Sequence, residues 1–227
     1  MNRFVDLSHP VSHGMPGFRY PEGTPSVGDF TVEVLDYRTH EQTRVAYQGR
    51  CGFAFTEVRF RGAVGTYLDA PLHRFPAARD IADYRLDQLV LPGIVIDARG
   101  LRPFEVVTTS RLPAADAIRG RAVLFDFGWA SRYGAREYFL HPFPDREVIE
   151  AIVDRGASLV GVDTSNVDDA RDADRPAHTL LLGRGIPIVE NLASLDQLRG
   201  KRFRFFAVPQ AVQGAASLPV RAFAEVE

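Results

Sequence analysis

The order of apolar runs between residues 122 and 163 constrains the fold of this chain more than any other feature. Residues 122–127 and 159–163 are apolar runs that predict strands. Between them, residues 144–155 carry apolar side chains at helical spacing, begin with a proline and end before Gly156. A strand, a helix and a second strand in this order indicate a βαβ crossover. The C-terminal half is therefore predicted to be α/β.

The rest of the chain is predicted to be mostly strand and loop. Residues 53–60 alternate between apolar and polar positions, which predicts a half-buried strand. Further strands are predicted at residues 30–37, 94–97, 186–190, 203–208 and 220–226, short helices at 179–182 and 193–198, and an irregular Pro- and Gly-rich loop at 9–28. At 227 residues, we expect one domain spanning residues 1–227, of α/β class with few helices.

Composition excludes several classes of function. The chain has 27 Lys and Arg against 29 Asp and Glu, so no basic excess points to a nucleic acid partner. No run of 18 apolar residues predicts a membrane span, and we expect a cytoplasmic protein with a small-molecule substrate. The single Cys51 excludes an internal disulfide and a Cys-based zinc finger. Any metal must therefore be held by carboxylates and the six histidines.

Residues 63–75 carry the most informative polar side chains. Pro71 argues against a helix, and in an extended chain Tyr67, Asp69, Pro71 and His73 point to one side. A carboxylate and an imidazole at this spacing can bind one metal ion, or they can form a buried Asp–His hydrogen bond. Spacing alone leaves both interpretations open.

Two further candidates lie downstream. His178 opens the segment H-T-L-L-L-G, and Glu190 ends the predicted strand 186–190. In open α/β sheets, ligands bind at the carboxyl ends of strands, which favours a functional Glu190. The alternatives are a helix-terminal histidine facing solvent and a glutamate on the surface.

Four other residues are candidates for substrate binding. Asp163 follows a predicted strand, and its alternative role is to cap a turn. Trp129, Phe18 and Tyr20 are predicted to line the pocket, with plain packing as the alternative.

These motifs together resemble the cyclase family of metal-dependent hydrolases, which includes bacterial kynurenine formamidase and isatin hydrolase. The resemblance is carried by G-T-Y-L-D-A-P-L-H, by His178 and Glu190 twelve residues apart, by V-D-L-S-H-P near the start and by G-V-D-T-S-N-V-D-D. The ending F-F-A-V-P, followed by L-P-V-R-A-F, extends it over nearly the whole chain. It implies a β-rich swivelling β/β/α fold with a mixed sheet, assembled as a homodimer or homotetramer.

The chain departs from the family signature H-x-G-T-H-x-D-x-P-x-H at both of its first two histidines. Ala63 and Tyr67 stand in their places. Ala63 offers no ligand atom, and Tyr67 ligates only as a phenolate, although the free pKa of tyrosine is about 10.

The positions that do match imply a reduced metal site. By resemblance, Asp69, His73 and Glu190 are the metal ligands, and His178 is an acid/base or lies close to the metal. One divalent ion, zinc or manganese, or no ion at all are both consistent with this set. No organic cofactor is expected.

The leading hypothesis is a hydrolase that cleaves a C–N or C–O bond in a small cyclic or aryl amide, lactone or ester. Water activated by the metal or by His178 would attack the carbonyl, and His178 would protonate the leaving group. Tyr67 would donate a hydrogen bond to the developing oxyanion. The alternatives are a metal-free lyase that uses Tyr67, His73 and His178 as acid and base, and a non-catalytic binding protein.

Overall fold

A computed structural model describes residues 3–17 and 30–227, which are mostly strand and loop. The strands are β1 (Phe4–Asp6), β2 (Glu33–Arg38), β3 (Phe55–Arg59), β4 (Tyr67–Asp69), β5 (Val90–Asp97), β6 (Val106–Val107), β7 (Ala122–Asp126), β8 (Phe143–Pro144), β9 (Leu159–Val162), β10 (Ile188–Glu190), β11 (Phe203–Phe206), β12 (Ser217–Pro219) and β13 (Phe223–Val226). The helices are α1 (His40–Arg44), α2 (Arg146–Asp154) and α3 (Pro176–Gly183). None of the helices in these ranges is long and apolar enough to cross a membrane.

One mixed sheet organises the molecule. Its strand order is β1-β13-β11-β5-β7-β9-β10-β4-β12, with parallel pairing from β5 to β10 and antiparallel pairing on both sides. Strands β7 and β9 pair in parallel, with Val123 opposite Val160, and α2 connects them. The predicted βαβ unit and the α/β class with few helices are confirmed.

The central strands are buried on both faces, so alternate side chains enter two hydrophobic cores. Val123 and Phe125 of β7 pack into the core that contains α2 and α3, whereas Leu124 packs into the core on the opposite face. Side chains pack tightly against β9 at Gly161. A Cβ on Gly161 would lie 2.7 Å from side-chain atoms of both Leu124 and Leu192. The sheet therefore provides a rigid base for the residues at its strand ends.

Helix α2 forms where its capping and apolar pattern predict it. The Asp145 carboxylate accepts a hydrogen bond from the Val148 amide at 2.8 Å, as an N-cap does. The chain leaves the helix at Gly156, whose φ of +78° suits a residue without a Cβ. Pro144 belongs to β8 instead of the helix, because residues 143–144 pair in parallel with β6.

Three local predictions are wrong in detail. The extended conformation predicted for residues 63–75 ends at Asp69, and Pro71–His73 form a 3₁₀ turn that Pro71 favours at its first position. The helix predicted at 179–182 begins earlier, at Pro176, so that His178 lies in its first turn. The helix predicted at 193–198 is only a 3₁₀ turn, Leu195–Leu198.

Strands β2 and β3 form a hairpin of their own, outside the main sheet. We call residues 33–60, which comprise β2, α1 and β3, the arm. The strand predicted at 53–60 is found at Phe55–Arg59, but its predicted half-burial is wrong, because nearly every residue of β2 and β3 is exposed. No core lies beneath this hairpin within the described part of the chain.

Candidate active site

The pairing of β4 with β10 brings the site residues together. These strands are antiparallel, and Tyr67 lies directly opposite Glu190. Asp69 lies two residues beyond Tyr67, so its side chain points to the same face of the sheet. Helix α3 covers this face and contributes His178. All of these side chains are buried.

Asp69 is the most unusual group in the site. Its carboxylate is fully buried, yet neither oxygen has a hydrogen-bond partner among the residues that the structure describes. His178 Nε2 lies 3.8 Å from Oδ2, and His73 Nδ1 lies 3.8 Å from Oδ1. Leaving a buried carboxylate without hydrogen bonds is costly unless another group compensates its charge.

Asp168 orients His178, and sequence reasoning missed it. Its Oδ2 lies 2.7 Å from His178 Nδ1, and the carboxylate also accepts the amides of Ala177 at 2.7 Å and His178 at 3.0 Å. Helix α3 begins at Arg175 and Pro176 without an N-cap side chain, so its first amides need another acceptor. That missing cap, together with the acidic stretch G-V-D-T-S-N-V-D-D, was the available signal.

The environment of His178 favours its charged form. Burial lowers its pKa, but the hydrogen bond with Asp168 and the nearby carboxylates of Asp69 and Glu190 outweigh burial and raise the pKa to about 10. The same pairing lowers the pKa of Asp168 despite the opposing effect of burial. Because Asp168 binds Nδ1, the Nε2 atom faces Asp69 and, at 3.7 Å, Glu190 Oε1.

Glu190 is held by two hydrogen bonds. Its Oε1 accepts the Val167 amide at 2.8 Å, and its Oε2 accepts the Tyr67 hydroxyl. Burial is the main cause that raises the pKa of Glu190 to about 7. Burial, followed by the charges of Glu190 and Asp69, raises the pKa of Tyr67 well above its usual value. The Tyr67 proton is thus donated to Glu190, and the oxyanion role predicted for it would require this bond to open.

Of the four predicted substrate-binding residues, the structure describes two, Asp163 and Trp129, and both make hydrogen bonds within the fold. The Asp163 carboxylate accepts the amides of Phe127, Trp129 and Ala130 at 2.9, 2.7 and 3.4 Å, which is the capping alternative considered above. Trp129 is buried, and its indole N–H donates to the Tyr138 carbonyl at 3.1 Å. Contact of Asp163 or Trp129 with substrate stays a prediction. Phe18 and Tyr20 lie outside the described residues.

The residues present fit a divalent cation. Asp69, His73 and His178 each offer a ligand atom, and these atoms lie within 4.8 Å of one another. Metal-binding histidines usually donate their other ring N–H to a carboxylate, as His178 is placed to do toward Asp168. A cation would also compensate the charge of the unpartnered Asp69 oxygens. The predicted ligands were Asp69, His73 and Glu190. In the structure, His178 takes the third place in this group, and Glu190 lies beside it, 3.7 Å from His178 Nε2.

Comparisons with known proteins bear on the family of this chain. The Cyclase family profile, described as "Putative cyclase", matches residues 5–169. The kynurenine formamidase of Bordetella petrii is 28% identical and covers 98% of this chain and 97% of its own. That of Salinibacter ruber is 32% identical over 73% of this chain and 76% of its own.

Solved structures share the fold. Isatin hydrolase A from Ralstonia solanacearum is 25% identical, covers 99% of this chain and 92% of its own, and superposes with a TM-score of 0.82. Isatin hydrolase A from Labrenzia aggregata has the same TM-score of 0.82 at 22% identity, over 97% of this chain and 92% of its own.

Proposed function

Since this chain belongs to the Cyclase family and is a hydrolase, we propose that it hydrolyses the C–N bond of a small aryl or cyclic amide with the help of one divalent cation. The observation that carries the proposal is the buried Asp69 carboxylate, which lacks hydrogen bonds among the described residues and faces two histidines. A related lactone or ester, with a C–O bond in the same position, is the next substrate class.

The names of the relatives support this substrate class. Kynurenine formamidase and isatin hydrolase are named for an aryl formamide and a cyclic aryl amide. Both reactions add water to a carbonyl carbon and expel a nitrogen attached to an aromatic ring. The site is buried except at His73, whose side chain is 40% exposed, so a substrate would approach the buried groups from that side.

The ligand set for the cation is Asp69, His73 and His178, with Glu190 beside them. When bound, a divalent cation supplies Lewis acidity, which polarises a carbonyl and makes water more acidic. Zinc and manganese are the ions to test first, because imidazole and carboxylate ligands suit both.

Glu190 is the group best suited to move a proton. With a pKa of about 7, its carboxylate can accept a proton from the attacking water near neutral pH and release it to the leaving nitrogen. Tyr67 fixes Oε2 through its hydroxyl, and Val167 fixes Oε1 through its amide. These two bonds hold the carboxylate in one orientation during both transfers.

His178 is oriented for one of two tasks at Nε2. In its neutral form it would bind the cation there, and in its charged form it would protonate the leaving group in place of Glu190. Asp168 enforces the geometry in both cases, because it holds Nδ1 at 2.7 Å.

The test is turnover of an N-formyl arylamine and of isatin by the purified protein, with and without EDTA, and after addition of Zn²⁺ or Mn²⁺. We expect turnover that EDTA abolishes and one of the two ions restores, with ¹⁸O from labelled water in the carboxylate product. His73→Gln should weaken metal binding, while His40→Gln, another exposed histidine, should not. Absence of turnover with both ions on amides, lactones and esters would contradict the proposal.

The two missing signature histidines favour a second candidate, a metal-free lyase that uses Tyr67, His73 and His178 as acid and base. Ala63 and Tyr67 are the observation behind it. A lyase would convert its substrate in EDTA without incorporation of ¹⁸O. Restoring both histidines, in an Ala63→His, Tyr67→His variant, should then create metal-dependent hydrolysis. A binding protein, the third possibility, would consume no substrate at all.

A further inference from the structure

Asn191 follows Glu190 in a backbone conformation that few side chains adopt. Its φ is +58°, in the left-handed region. Residues with side chains in this region are uncommon and occur preferentially at active sites. Asparagine enters the region more readily than most residues, but glycine does so with the least strain. Whatever favours asparagine over glycine at this position therefore lies in its side chain.

The Asn191 side chain is buried, and both ends of its amide are hydrogen-bonded. Nδ2 donates to the Gly65 carbonyl at 2.6 Å, and Oδ1 accepts the Tyr138 hydroxyl at 2.8 Å. Because the Gly65 carbonyl can only accept, the orientation of the amide is fixed. The backbone of Asn191 adds two bonds, from its amide to the Thr164 carbonyl at 3.0 Å and to its carbonyl from the Thr66 hydroxyl at 2.5 Å. Asn191 thus joins three distant segments of the chain.

Two of these bonds continue the connection between β4 and β10 beyond their last residue pair. The two strands share three pairs, and the last of them places Tyr67 opposite Glu190. Gly65 and Thr66 immediately precede Tyr67, and Asn191 immediately follows Glu190. The bonds from Asn191 to these two residues therefore hold the strand ends together at the point where the Tyr67 hydroxyl meets the Glu190 carboxylate.

The separation of the two strand ends matters for the orientation of Glu190. Its Oε2 accepts the hydroxyl of Tyr67 on β4, and its Oε1 accepts the amide of Val167. If the strand ends move apart, the first of these bonds opens and the carboxylate is free to rotate. A displacement of about 1 Å in a reacting group can lower a rate about 100-fold. The connection at Asn191 therefore bears on the proton transfer assigned to Glu190.

We propose that Asn191 is a positioning residue, which holds the end of β10 against β4 so that Tyr67 keeps the Glu190 carboxylate in one orientation. The inference rests on the proposed function where it concerns turnover, and on the fold alone where it concerns the bond between Tyr67 and Glu190. A neutral amide suits this position. An aspartate could not donate to Gly65 and would add a buried charge beside Glu190.

The first test is Asn191→Gly, which keeps the left-handed backbone and removes both side-chain bonds. We expect kcat per folded molecule to fall about 100-fold, with KM and metal affinity within about twofold of wild type, because the groups that bind stay in place. Tyr138→Phe removes the hydroxyl that donates to Oδ1 and should lower kcat about 10-fold. Ser194→Gly is the matched control, since Ser194 also has a left-handed φ, of +55°, and its kcat should not change.

The second test needs no substrate. The buried Tyr67 hydroxyl proton should exchange slowly with water and give a ¹H NMR signal of its own, which Tyr67→Phe assigns by removing it. In Asn191→Gly, exchange of this proton should accelerate at least about 10-fold relative to the amides of β7. The amides of β7 report on unfolding of the whole molecule, so the ratio isolates the opening of the Tyr67–Glu190 bond.

These two measurements separate a positioning role from a merely structural one. If Asn191→Gly lowers the free energy of unfolding but leaves both the Tyr67 hydroxyl exchange ratio and kcat per folded molecule at wild-type values, the proposal is overturned. If the wild-type protein turns over no amide, lactone or ester, the proposed function fails, and the exchange ratio still decides the role of Asn191. If Asn191→Gly does not fold, the same measurements on Tyr138→Phe decide it.

Discussion

Asp163 and Asp69 are two buried carboxylates near strand ends of the same sheet, and their surroundings differ completely. Asp163 accepts three backbone amides from the loop at residues 127–130. Asp69 accepts none from the described residues and faces two histidines instead. Residue type and burial are the same, so neither distinguishes the two roles. The hydrogen-bond partners do, because they show which carboxylate is already used by the fold.

Two buried histidines show the same contrast. The Pro142 carbonyl lies 3.0 Å from His141 Nδ1, and burial lowers the pKa of this histidine to about 4. His178 is surrounded by Asp168, Asp69 and Glu190, which raise its pKa to about 10 against the effect of burial. Three carboxylates lie within 3.8 Å of the His178 ring, whereas the charges of Asp169 and Asp168 raise the pKa of His141 less than burial lowers it.

The largest effect is expected from Asp69→Asn. Loss of a charged ligand should remove several kcal/mol of transition-state stabilisation and lower kcat/KM about 1,000-fold. The free energy of unfolding should stay the same or rise, because the variant removes a buried charge without hydrogen bonds. Steady-state kinetics and urea denaturation on one preparation measure both. If Asp69→Asn were active but less stable than wild type, Asp69 would serve the fold as Asp163 does, and the prediction would be wrong.

Asp163→Ala should show the opposite pattern. It leaves two buried amides and one half-buried amide without an acceptor, so we expect a loss of about 3 kcal/mol in the free energy of unfolding. Asp163→Asn retains one acceptor oxygen and should cost less. Urea denaturation measures the free energy of unfolding of both variants and shows which loses more. Equal stability of Asp163→Ala and wild type would show that water satisfies the loop amides.

The histidine contrast predicts an acid-sensitive fold. His141 has a folded pKa of about 4, below its usual 6.5, so the folded state favours the neutral ring. Its contribution is complete above pH 6.5 and is lost as the pH falls toward 4, by about 3 kcal/mol in total. His141→Gln should therefore flatten the decline of unfolding free energy between pH 6.5 and 4. An unchanged slope in that window would assign the decline to other groups.

The smallest effect is expected from Asp168→Asn. An amide cannot accept from His178 Nδ1 and cap α3 as the carboxylate does, so metal affinity should fall about 10- to 100-fold. Asp169→Asn is the control, because the neighbouring Asp169 contacts Arg171 and not His178. Metal competition titrations, together with ¹⁵N shifts of the His178 ring, separate a change of tautomer from a loss of structure. Identical ring shifts in both variants would argue against a positioning role.

Much of the fold could be predicted from the sequence, because the responsible signals are local. Apolar spacing predicts α2 and its flanking strands, and the cap at Asp145 and the glycine at 156 lie within one helical turn of its ends. The turn Pro71–His73 and the exposed arm could not be predicted in this way. Alternation shows that a strand has two faces, but not whether anything covers them.

The sequence by itself determined the family and the candidates Asp69, His73, His178 and Glu190, because the signature G-T-Y-L-D-A-P-L-H and the later His–Glu pair are short patterns. Only the tertiary structure decided which groups each one contacts. The Tyr67 hydroxyl reaches Glu190 across 123 residues of sequence, through the register of β4 on β10. Asp168 meets His178 because its carboxylate accepts the first amides of α3, whose N-cap residue offers no side-chain acceptor. Hydrogen-bond partners depend on distances of a few tenths of an ångström, and those distances exist only once the strands have paired.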